Sequence, residues 1–279
     1  MAAHERGALL GGDVARYAEE GLVIPKLRVP GDLHDRMRSA VDLLLHDNPE
    51  VVPEYLVGPH IRKVGKDPAI ADAFLSFALD PFFLHLVEQI LGHNFALWSS
   101  GVFCKLPGVG REVPWHQDGR YWPIRPLATC SVWVAIDDSK VENGCMRYIP
   151  GSHKRELVEH VEDTRPLLVL NRVVDPNAFD VSAANDVELN AGEFSMHDVF
   201  LIHGSNANKS ARRRAGYVMR YMPTTSVYDR TIDPGQSSSI GVSEFARRPI
   251  WLARGKDVSG RNDFALGHDR PYAGKPVDE

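Results

Sequence analysis

The order of hydrophobic and polar residues divides the chain into a helical first third and a strand-rich middle. Residues 32–47 show the clearest helical pattern, because their apolar side chains recur along one stripe and Asp32 can cap the start. Helical patterns also cover residues 13–20, 68–79 and 81–91, and the last two begin with an Asp-Pro pair. We therefore expect a helical layer over about residues 13–91.

Beyond this layer the pattern changes. From about residue 95 to 222, short runs of β character alternate with glycine, proline and asparagine, and no strong helical period returns. Helices followed by strands favour a mainly β fold, a sandwich or barrel, with flanking N-terminal helices. Residues 153–190 are polar and long for a plain connection, which is typical of a lid or an insertion. The polar extension 224–279 carries Trp251 as its one large apolar anchor.

Composition narrows the class of protein. With 279 residues, 43% of them hydrophobic and 25% charged, the chain can form one sizeable domain, and we predict a single domain over 1–279. A net charge of −5 argues against a nucleic-acid partner. No apolar run approaches the ~20 residues that a membrane span needs, and no signal peptide or lipidation motif is visible.

The cysteines indicate the compartment. Cys104, Cys130 and Cys145 form no paired motif, and we interpret them as small buried apolar residues in a reducing environment. We therefore expect a cytoplasmic protein, and its oligomeric state is left open.

A candidate metal site is organised around Pro114-Trp115-His116-Gln117-Asp118. On an extended backbone His116 and Asp118 project from the same face, so a nitrogen and an oxygen can point at one centre. His203, at the end of another apolar run, is the candidate third ligand. Two histidines and one carboxylate are associated with non-haem Fe(II) oxygenases. Hydrolytic zinc sites use the same ligand types, so zinc is the rival metal.

His197 competes with His203 for the third position. The two residues have the same parity, but in an unbroken strand they lie ~20 Å apart at ~3.3 Å per residue, too far to share one ion. We favour His203, because Gly204 permits a sharp turn at a strand end. His197 is interpreted as a buried structural histidine.

A candidate anion site follows eleven residues after His203. Arg214 opens the predicted strand that continues through Tyr221, and a guanidinium binds a carboxylate through two parallel hydrogen bonds. Such bonds contribute ~1.5–3 kcal/mol each, enough to hold a dicarboxylate whose other end chelates iron. Ser205 can add a hydroxyl. The alternative is that Arg212-Arg213-Arg214 forms a solvated basic turn.

A second group of residues lies just after the first ligand pair. The candidates for a substrate wall are Arg120, Tyr121, Trp122 and Arg125. A further candidate is His153, which follows the turn Pro150-Gly151-Ser152. If the side chains of Arg120 and Arg125 face inward, we expect an anionic or polar substrate. The alternative is that both arginines lie on a solvated loop.

Together these residues resemble the phytanoyl-CoA dioxygenase family, Fe(II)/2-oxoglutarate oxygenases on a double-stranded β-helix, a cupin-like jelly roll. The resemblance covers roughly residues 13–222 and keeps the family's motif order. The matching pieces are Trp115-His116-Gln117-Asp118, Tyr121-Trp122-Pro123, Trp133-Val134-Ala135, Glu142-Asn143-Gly144-Cys145, Ile149-Pro150-Gly151-Ser152-His153-Lys154, and His203-Gly204-Ser205 with Arg214. His197-Asp198 departs from it, because an aromatic residue followed by His or Asp is commoner there.

The resemblance implies roles for individual residues. His116, Asp118 and His203 match the iron ligands, which are also the catalytic residues. The residues that match the co-substrate pocket are Lys63, Gln117, Trp133, Ser205 and Arg214, with Arg214 on the distal carboxylate of 2-oxoglutarate. Halogenating relatives replace the ligand carboxylate by a small residue, so the retained Asp118 favours oxygen transfer.

The resemblance also implies a reaction. We expect an Fe(II)-dependent dioxygenase, with 2-oxoglutarate and O2 as co-substrates, that hydroxylates a C–H bond of a small organic substrate and releases succinate and CO2. The alternatives are desaturation or cyclisation at the same iron, a non-catalytic jelly roll that binds a metal or a small acid, and a zinc hydrolase. The substrate is left open among acyl-CoA thioesters, osmolytes, phosphonates and natural products.

Overall fold

The structure, a computed structural model, describes residues 8–49, 56–62, 67–165, 170, 172–232 and 245–268. Its α-helices are α1 (Gly11–Glu20), α2 (Gly31–Asp47), α3 (Pro68–Ala78) and α4 (Pro81–Leu91). Short 3-10 helices span Asp118–Arg120, Val141–Asn143, Ser152–Arg155, Pro176–Ala178, Val181–Ala183 and Phe245–Arg247. The strands are β1 (Leu22–Val23), β2 (Leu56–Val57), β3 (Phe95–Lys105), β4 (Val113–His116), β5 (Ile124–Arg125), β6 (Cys130–Ala135), β7 (Met146–Tyr148), β8 (His160–Glu162), β9 (Arg172–Val174), β10 (Asn185–Val187), β11 (Phe194–Asp198), β12 (His203–Ser205), β13 (Arg214–Pro223), β14 (Val227–Tyr228) and β15 (Trp251–Arg254).

Two antiparallel sheets form the jelly roll. The major sheet has the strand order β1-β11-β6-β13-β3-β15, and β2 also pairs with β3. The minor sheet has the order β10-β7-β12-β4. Neighbouring strands are far apart in sequence, as expected when strands alternate between two facing sheets. The predicted fold class, a mainly β jelly roll with flanking helices, is confirmed.

The helix boundaries follow the predicted signals with one exception. The Asp67 and Asp80 carboxylates accept the N–H groups of Ala69 and Phe82 and cap α3 and α4. Asp32 was predicted as the cap of α2, and that prediction is wrong. Pro30 occupies the cap position, so Asp32 lies in the first turn, where its negative charge faces the positive end of the helix dipole.

The largest apolar cluster joins the helices to the outer face of the major sheet. Phe74 of α3 is fully buried, and its ring centroid lies 5.0 Å from that of Tyr217 on β13. The Tyr217 hydroxyl donates to the carbonyl oxygen of Phe74, and the Tyr221 hydroxyl donates to that of Ala78. The helical layer therefore closes one face of the sheet and leaves the other face to the barrel interior.

The C-terminal segment contributes more than was predicted. β15 pairs with β3 at the edge of the major sheet, and Ile250 is fully buried with Trp98, Trp122 and Tyr228. The interpretation of this segment as a polar tail with one anchor is therefore wrong for residues 245–254. Residues 269–279 lie outside the described residues.

The long polar stretch 153–190 forms a two-stranded sheet, β8 with β9, together with short 3-10 helices and β10. Its role as a lid stays a prediction. In the part of the chain that the structure describes, no single helix is long and apolar enough to cross a membrane, and α3 and α4, bent by 48°, pass that test only as a pair.

Candidate iron and co-substrate site

The three predicted metal ligands meet between the two sheets. His116 ends β4 and lies directly opposite His203, the first residue of β12, so that their ring centroids are 4.2 Å apart. Gln117 is extended, with φ −117° and ψ 127°, which keeps Asp118 on the side of His116 although a 3-10 helix begins there. One possible ligand atom from each of the three residues lies within 4.8 Å of the others.

Both imidazoles are held by backbone carbonyl groups. Nδ1 of His116 is 2.9 Å from the Pro114 oxygen, and Nδ1 of His203 is 3.0 Å from the Leu201 oxygen. An Nδ1–H that donates to a carbonyl leaves the lone pair on Nε2, which is the form that binds a metal. Burial, reinforced by the nearby His116, lowers the pKa of His203 to about 3, so this ring is neutral at physiological pH.

Asp118 is ionised despite its burial. Burial by itself raises the pKa of this carboxyl, but its interactions with His116, His197 and His203 and the nearby charge of Arg220 bring the pKa well below the usual value. Its Oδ1 lies 3.6 Å from Nε2 of His116. The ionised carboxylate of Asp118 and the neutral imidazole of His203 are the protonation states in which these groups bind a divalent metal.

The prediction that His197 lies far from His203 is wrong. Their ring centroids are 5.2 Å apart, and Nε2 of His197 lies 3.8 Å from Oδ2 of Asp118. The predicted strand is not continuous, because the Asp198 carboxylate accepts the N–H of Phe200 and starts a turn. The turn carries the chain from the major sheet to the minor sheet. His197 is buried, as interpreted, but beside the carboxylate ligand.

Arg214 lies in the barrel interior. It opens β13 with only 3% of its surface exposed, so the solvated-turn alternative is wrong for this residue. Its Nε and Nη2 donate to the Gly144 carbonyl, and its guanidinium lies 5.4 Å from the centroid of Trp133. A Cβ on Gly216 would lie 2.0 Å from the Trp133 indole, so glycine is required for this packing. Burial lowers the pKa of Arg214 to about 10.

Arg212 and Arg213 differ from Arg214. Arg212 pairs with Glu142 at the surface, and Arg213 pairs with Asp137 and Asp42. Among the described residues, no acidic side chain lies within ion-pair distance of Arg214. This guanidinium is therefore the one of the three that is available to an incoming carboxylate.

A lysine that we did not predict lies beside Arg214. Lys105 ends β3 directly opposite Arg214, and it is almost fully buried. Its Nζ donates to the hydroxyl of Ser205 at 2.7 Å and to the Ser205 carbonyl at 3.2 Å. Two buried cations and one oriented hydroxyl thus occupy the same end of the barrel, which makes this end strongly favourable for an anion.

The side chain of Gln117 is hydrogen-bonded to backbone groups of three other residues. Its side-chain amide donates to the Phe200 carbonyl at 2.6 Å and to the Glu156 carbonyl at 2.7 Å, and its Oε1 accepts the N–H of Val158 at 2.9 Å. Its backbone N–H donates to Nε2 of His160. Gln117 therefore ties the loops on either side of the metal site together, and its contact with a co-substrate stays a prediction.

The substrate-wall candidates separate into inward and outward residues. Trp122 is buried, whereas Arg120 and Arg125 are exposed, and Arg125 Nη1 donates to the Trp122 carbonyl. The solvated-loop alternative is thus the correct one for both arginines. The Tyr121 hydroxyl donates to the Arg172 carbonyl.

The two remaining candidate residues are His153 and Lys63. Nε2 of His153 lies 3.1 Å from the Ala18 carbonyl, so this ring packs on α1 rather than on the metal site. Lys63 lies outside the described residues, and its contact with a co-substrate stays a prediction.

The family description Phytanoyl-CoA dioxygenase (PhyH) matches residues 24–216, well over half of the chain. The chain belongs to this family. A probable phytanoyl-CoA dioxygenase of Caenorhabditis elegans is 32% identical over 230 residues, which cover 72% of each chain. A probable alpha-ketoglutarate-dependent hypophosphite dioxygenase of Stutzerimonas stutzeri is 28% identical over 163 residues, 58% of this chain and 57% of that protein. The chain spans about half the length of several curated relatives that it matches.

Solved structures agree on the fold. A non-heme monooxygenase, ThoJ in its apo form, superimposes with a TM-score of 0.67 and 23% identity over 89% of this chain and 85% of that one. At this identity the likeness shows the jelly roll alone.

Proposed function

We propose that this chain is an Fe(II)- and 2-oxoglutarate-dependent oxygenase that hydroxylates a C–H bond of a small organic molecule. One observation carries the proposal. A buried two-histidine, one-carboxylate set shares a barrel interior with a buried arginine that has no carboxylate partner among the described residues. The PhyH relatives that are described as dioxygenases support it.

The side chains fit the metal. His116 and His203 expose Nε2 while their Nδ1 atoms are held by carbonyl groups, and Asp118 is ionised. These three residues would hold the iron, and a set of two histidines and one carboxylate would leave positions on it for co-substrates. Bound iron and 2-oxoglutarate supply the activation of O2, and the keto acid ends as succinate and CO2.

The chain's own residues bind and orient. Arg214, supported by Trp133, offers paired N–H donors to the distal carboxylate of 2-oxoglutarate, and Lys105 orients the Ser205 hydroxyl toward the same end. Trp122 and Trp133 are buried, so apolar ring surface excludes water on two sides of the interior. The ionised carboxylate of Asp118 keeps a ligand position filled, which favours oxygen transfer over halogenation.

The relatives do not select a substrate. Hypophosphite is a small inorganic anion, whereas phytanoyl-CoA is a large thioester, and both names occur among the relatives. Desaturation or cyclisation at the same site is the second candidate reaction, because one solved structure of the same fold is described as a carbocyclase.

The test is anaerobic reconstitution. Metal-free protein receives Fe(II), 2-oxoglutarate binding is measured by calorimetry, and O2 is then admitted while succinate is measured across a panel of substrates. We expect Fe(II)-dependent binding of 2-oxoglutarate and O2-dependent succinate release. Asp118→Ala should reduce succinate release to below about one hundredth of wild type, since even outer-shell partners of ligands cost about 10–100-fold. Asp35→Ala, at an exposed position of α2, is the matched control and should keep wild-type turnover.

The alternatives predict different results. A zinc hydrolase is active without O2 and without 2-oxoglutarate. A non-catalytic binding protein binds 2-oxoglutarate but releases no succinate with any substrate. Undiminished turnover of Asp118→Ala would contradict the ligand assignment.

A further inference from the structure

A row of polar side chains crosses the inner face of the major sheet. Ser131 of β6 lies directly opposite His197 of β11 on one side and Arg220 of β13 on the other, and Arg220 in turn lies opposite Ser99 of β3. Residues directly opposite each other in an antiparallel sheet project from the same face. Since His197 contacts Asp118, the whole row faces the barrel interior.

Arg220 is the charged member of this row. Only 4% of its surface is exposed, and its guanidinium lies 5.3 Å from the centroid of Trp122 and 5.9 Å from that of Phe103. Among the described residues, its Nε has no hydrogen-bond partner and no acidic side chain lies within ion-pair distance of it. A buried cation that forms no ion pair is costly for a protein to maintain, which points to a use other than stability.

Several neighbours of Arg220 carry hydrogen-bond donors. Its partners across the sheet are two serines, Ser99 and Ser131, and the Ser131 hydroxyl has no hydrogen-bond partner among the described residues. In the apolar cluster that contains Trp122, the indole N–H of Trp98 and the hydroxyl of Tyr228 are also buried, with no hydrogen-bond partner in the described part of the chain. Such a set is rich in hydrogen-bond donors, and its natural complement is an oxyanion, which only accepts.

A second arginine reaches the same place from the C-terminal segment. Nη1 of Arg248 lies 3.4 Å from the Ser99 hydroxyl, and this side chain is also almost fully buried. Two arginines from elements far apart in sequence therefore meet at Ser99, Arg248 through its Nη1 and Arg220 as the residue opposite in the sheet.

The backbone of Arg220 lies apart from that of Arg214, while its guanidinium extends along the sheet toward Phe103, the residue opposite Gly216. Arg214 and Arg220 are six residues apart on β13, or ~20 Å along the strand. Arg220 lies opposite Ser131, which lies opposite His197, and Nε2 of His197 is 3.8 Å from Oδ2 of Asp118, so the row leads from Arg220 to the candidate iron ligands.

We propose that Arg220, with Arg248 beside it, binds an oxyanionic group of the substrate, a carboxylate or a phosphonate, and so selects an anionic substrate. This rests on the proposed function and adds the class of substrate to it. The two arginines at positions 120 and 125, from which the sequence suggested an anionic substrate, point to solvent, and Arg220 takes that role from inside the barrel.

The test measures binding to the complete site. Protein loaded anaerobically with Fe(II) and saturated with 2-oxoglutarate, so that the Arg214 end is filled, is titrated with acetate, methylphosphonate and the neutral acetamide in a calorimeter. We expect at least one of the two anions to bind while acetamide does not. The two anionic arms distinguish a carboxylate from a phosphonate.

Variants assign the binding to Arg220. Arg220→Gln should weaken the binding of the preferred anion by about tenfold or more, because a charge-assisted contact is lost. Arg247→Gln, which removes the same charge at an exposed neighbouring position, is the matched control and should change the affinity less than about twofold. If Arg220→Gln does not fold, Arg220→Lys takes its place and should weaken binding by about fivefold or more, because the two-pronged contact is lost.

The outcomes are distinct. If both anions bind wild type no better than acetamide, or if the Arg220 variants keep wild-type affinity, this inference is overturned while the proposed function stands. If wild type does not bind 2-oxoglutarate at all, the proposed function fails with it.

Discussion

The two faces of strand β13 differ in composition although they are formed by alternate residues of one segment. Toward the helices, Tyr217, Met219 and Tyr221 are fully buried in the main apolar cluster, and both tyrosine hydroxyls bond to carbonyl groups of α3. Toward the barrel interior, Arg214 and Arg220 bury charges that form no ion pair among the described residues. On the outer face the apolar side chains are buried and the tyrosine hydroxyls are hydrogen-bonded, as in a stable core. The inner face buries charged side chains instead.

This difference separates stability from chemistry within the same ten residues. The outer face lowers the free energy of the folded state by burying apolar surface. The inner face keeps desolvated cations that interact strongly with a bound anion, because their charges are not screened by water. Substitutions on the two faces should therefore change different measurements, and four predictions test this.

The largest effect is expected on the outer face. Phe74→Ala removes a fully buried ring that packs on Tyr217, and should lower the free energy of unfolding by about 3–5 kcal/mol, measured by urea denaturation. The Michaelis constant for 2-oxoglutarate should not change at a temperature where the variant is folded. Leu43→Ala, at a position 54% exposed on α2, is the control and should cost little. A changed Michaelis constant for 2-oxoglutarate in Phe74→Ala would contradict the separation of stability from chemistry between the two faces of β13.

The next effect is expected at the co-substrate end of the inner face. Arg214→Met should raise the Michaelis constant for 2-oxoglutarate by roughly 10–100-fold, since charge-assisted hydrogen bonds of about 1.5–3 kcal/mol are lost. The free energy of unfolding should stay the same or rise, because a desolvated cation is removed. Arg212→Met, at the surface, serves for comparison. A large loss of stability in Arg214→Met would show that this side chain is structural.

His60 is a polar exception near the outer face, where its Nδ1 lies 2.7 Å from the Ser100 hydroxyl. Burial, with the charges of Arg248 and Arg220, lowers the pKa of His60 to about 3. The unfolded chain takes up this proton below about pH 6.5, but the folded chain does so only near pH 3, so stability is complete above pH 6.5 and falls as the pH drops toward 3.

The expected slope for this one group is about 1.4 kcal/mol per pH unit across that window. Urea denaturation between pH 7 and pH 4 measures it, and His60→Gln should have a shallower acid limb. An identical limb in this variant would contradict the assignment of the low pKa to His60.

The smallest effect is expected beside the metal ligands. His197→Phe removes the imidazole near Asp118 and keeps an aromatic ring at this position. We expect the affinity for Fe(II) to fall by about tenfold, the low end of outer-shell effects, with little change in the unfolding midpoint. Titration of metal-free protein with Fe(II) under anaerobic conditions measures this. Unchanged affinity would show that His197 does not position the carboxylate.

Much of the site could be predicted because its signals are local. The spacing of His116 and Asp118 places both on one side of an extended segment, and the Asp-Pro pairs mark the starts of α3 and α4. Arg220 was also within reach, because its even spacing from Arg214 on a strand places the two on the same face. It was missed because only the first arginine of the strand matched a motif.

Other residues had no local signal. His197 was judged on the length of a continuous strand, and the Asp198 turn that breaks the strand was not recognised. Lys105 is a single lysine at the end of an apolar run, and its importance appears only when β3 pairs with β13. Long-range pairing of this kind depends on how the strands are ordered in the sheets, which a strand's own residues do not encode.

From periodicity, the sequence by itself predicted the helical layer and a mainly β fold. Its motifs of a few residues carried the resemblance that implied the family, the jelly roll and the candidate iron ligands. Only the tertiary structure decided which charges face the barrel interior. It turned Arg120 and Arg125 outward, buried Arg214 and Arg220, and brought Lys105 and His197 to the site. The physical reason is that burial is a property of the assembled sheets, since a side chain loses water only when distant segments close around it.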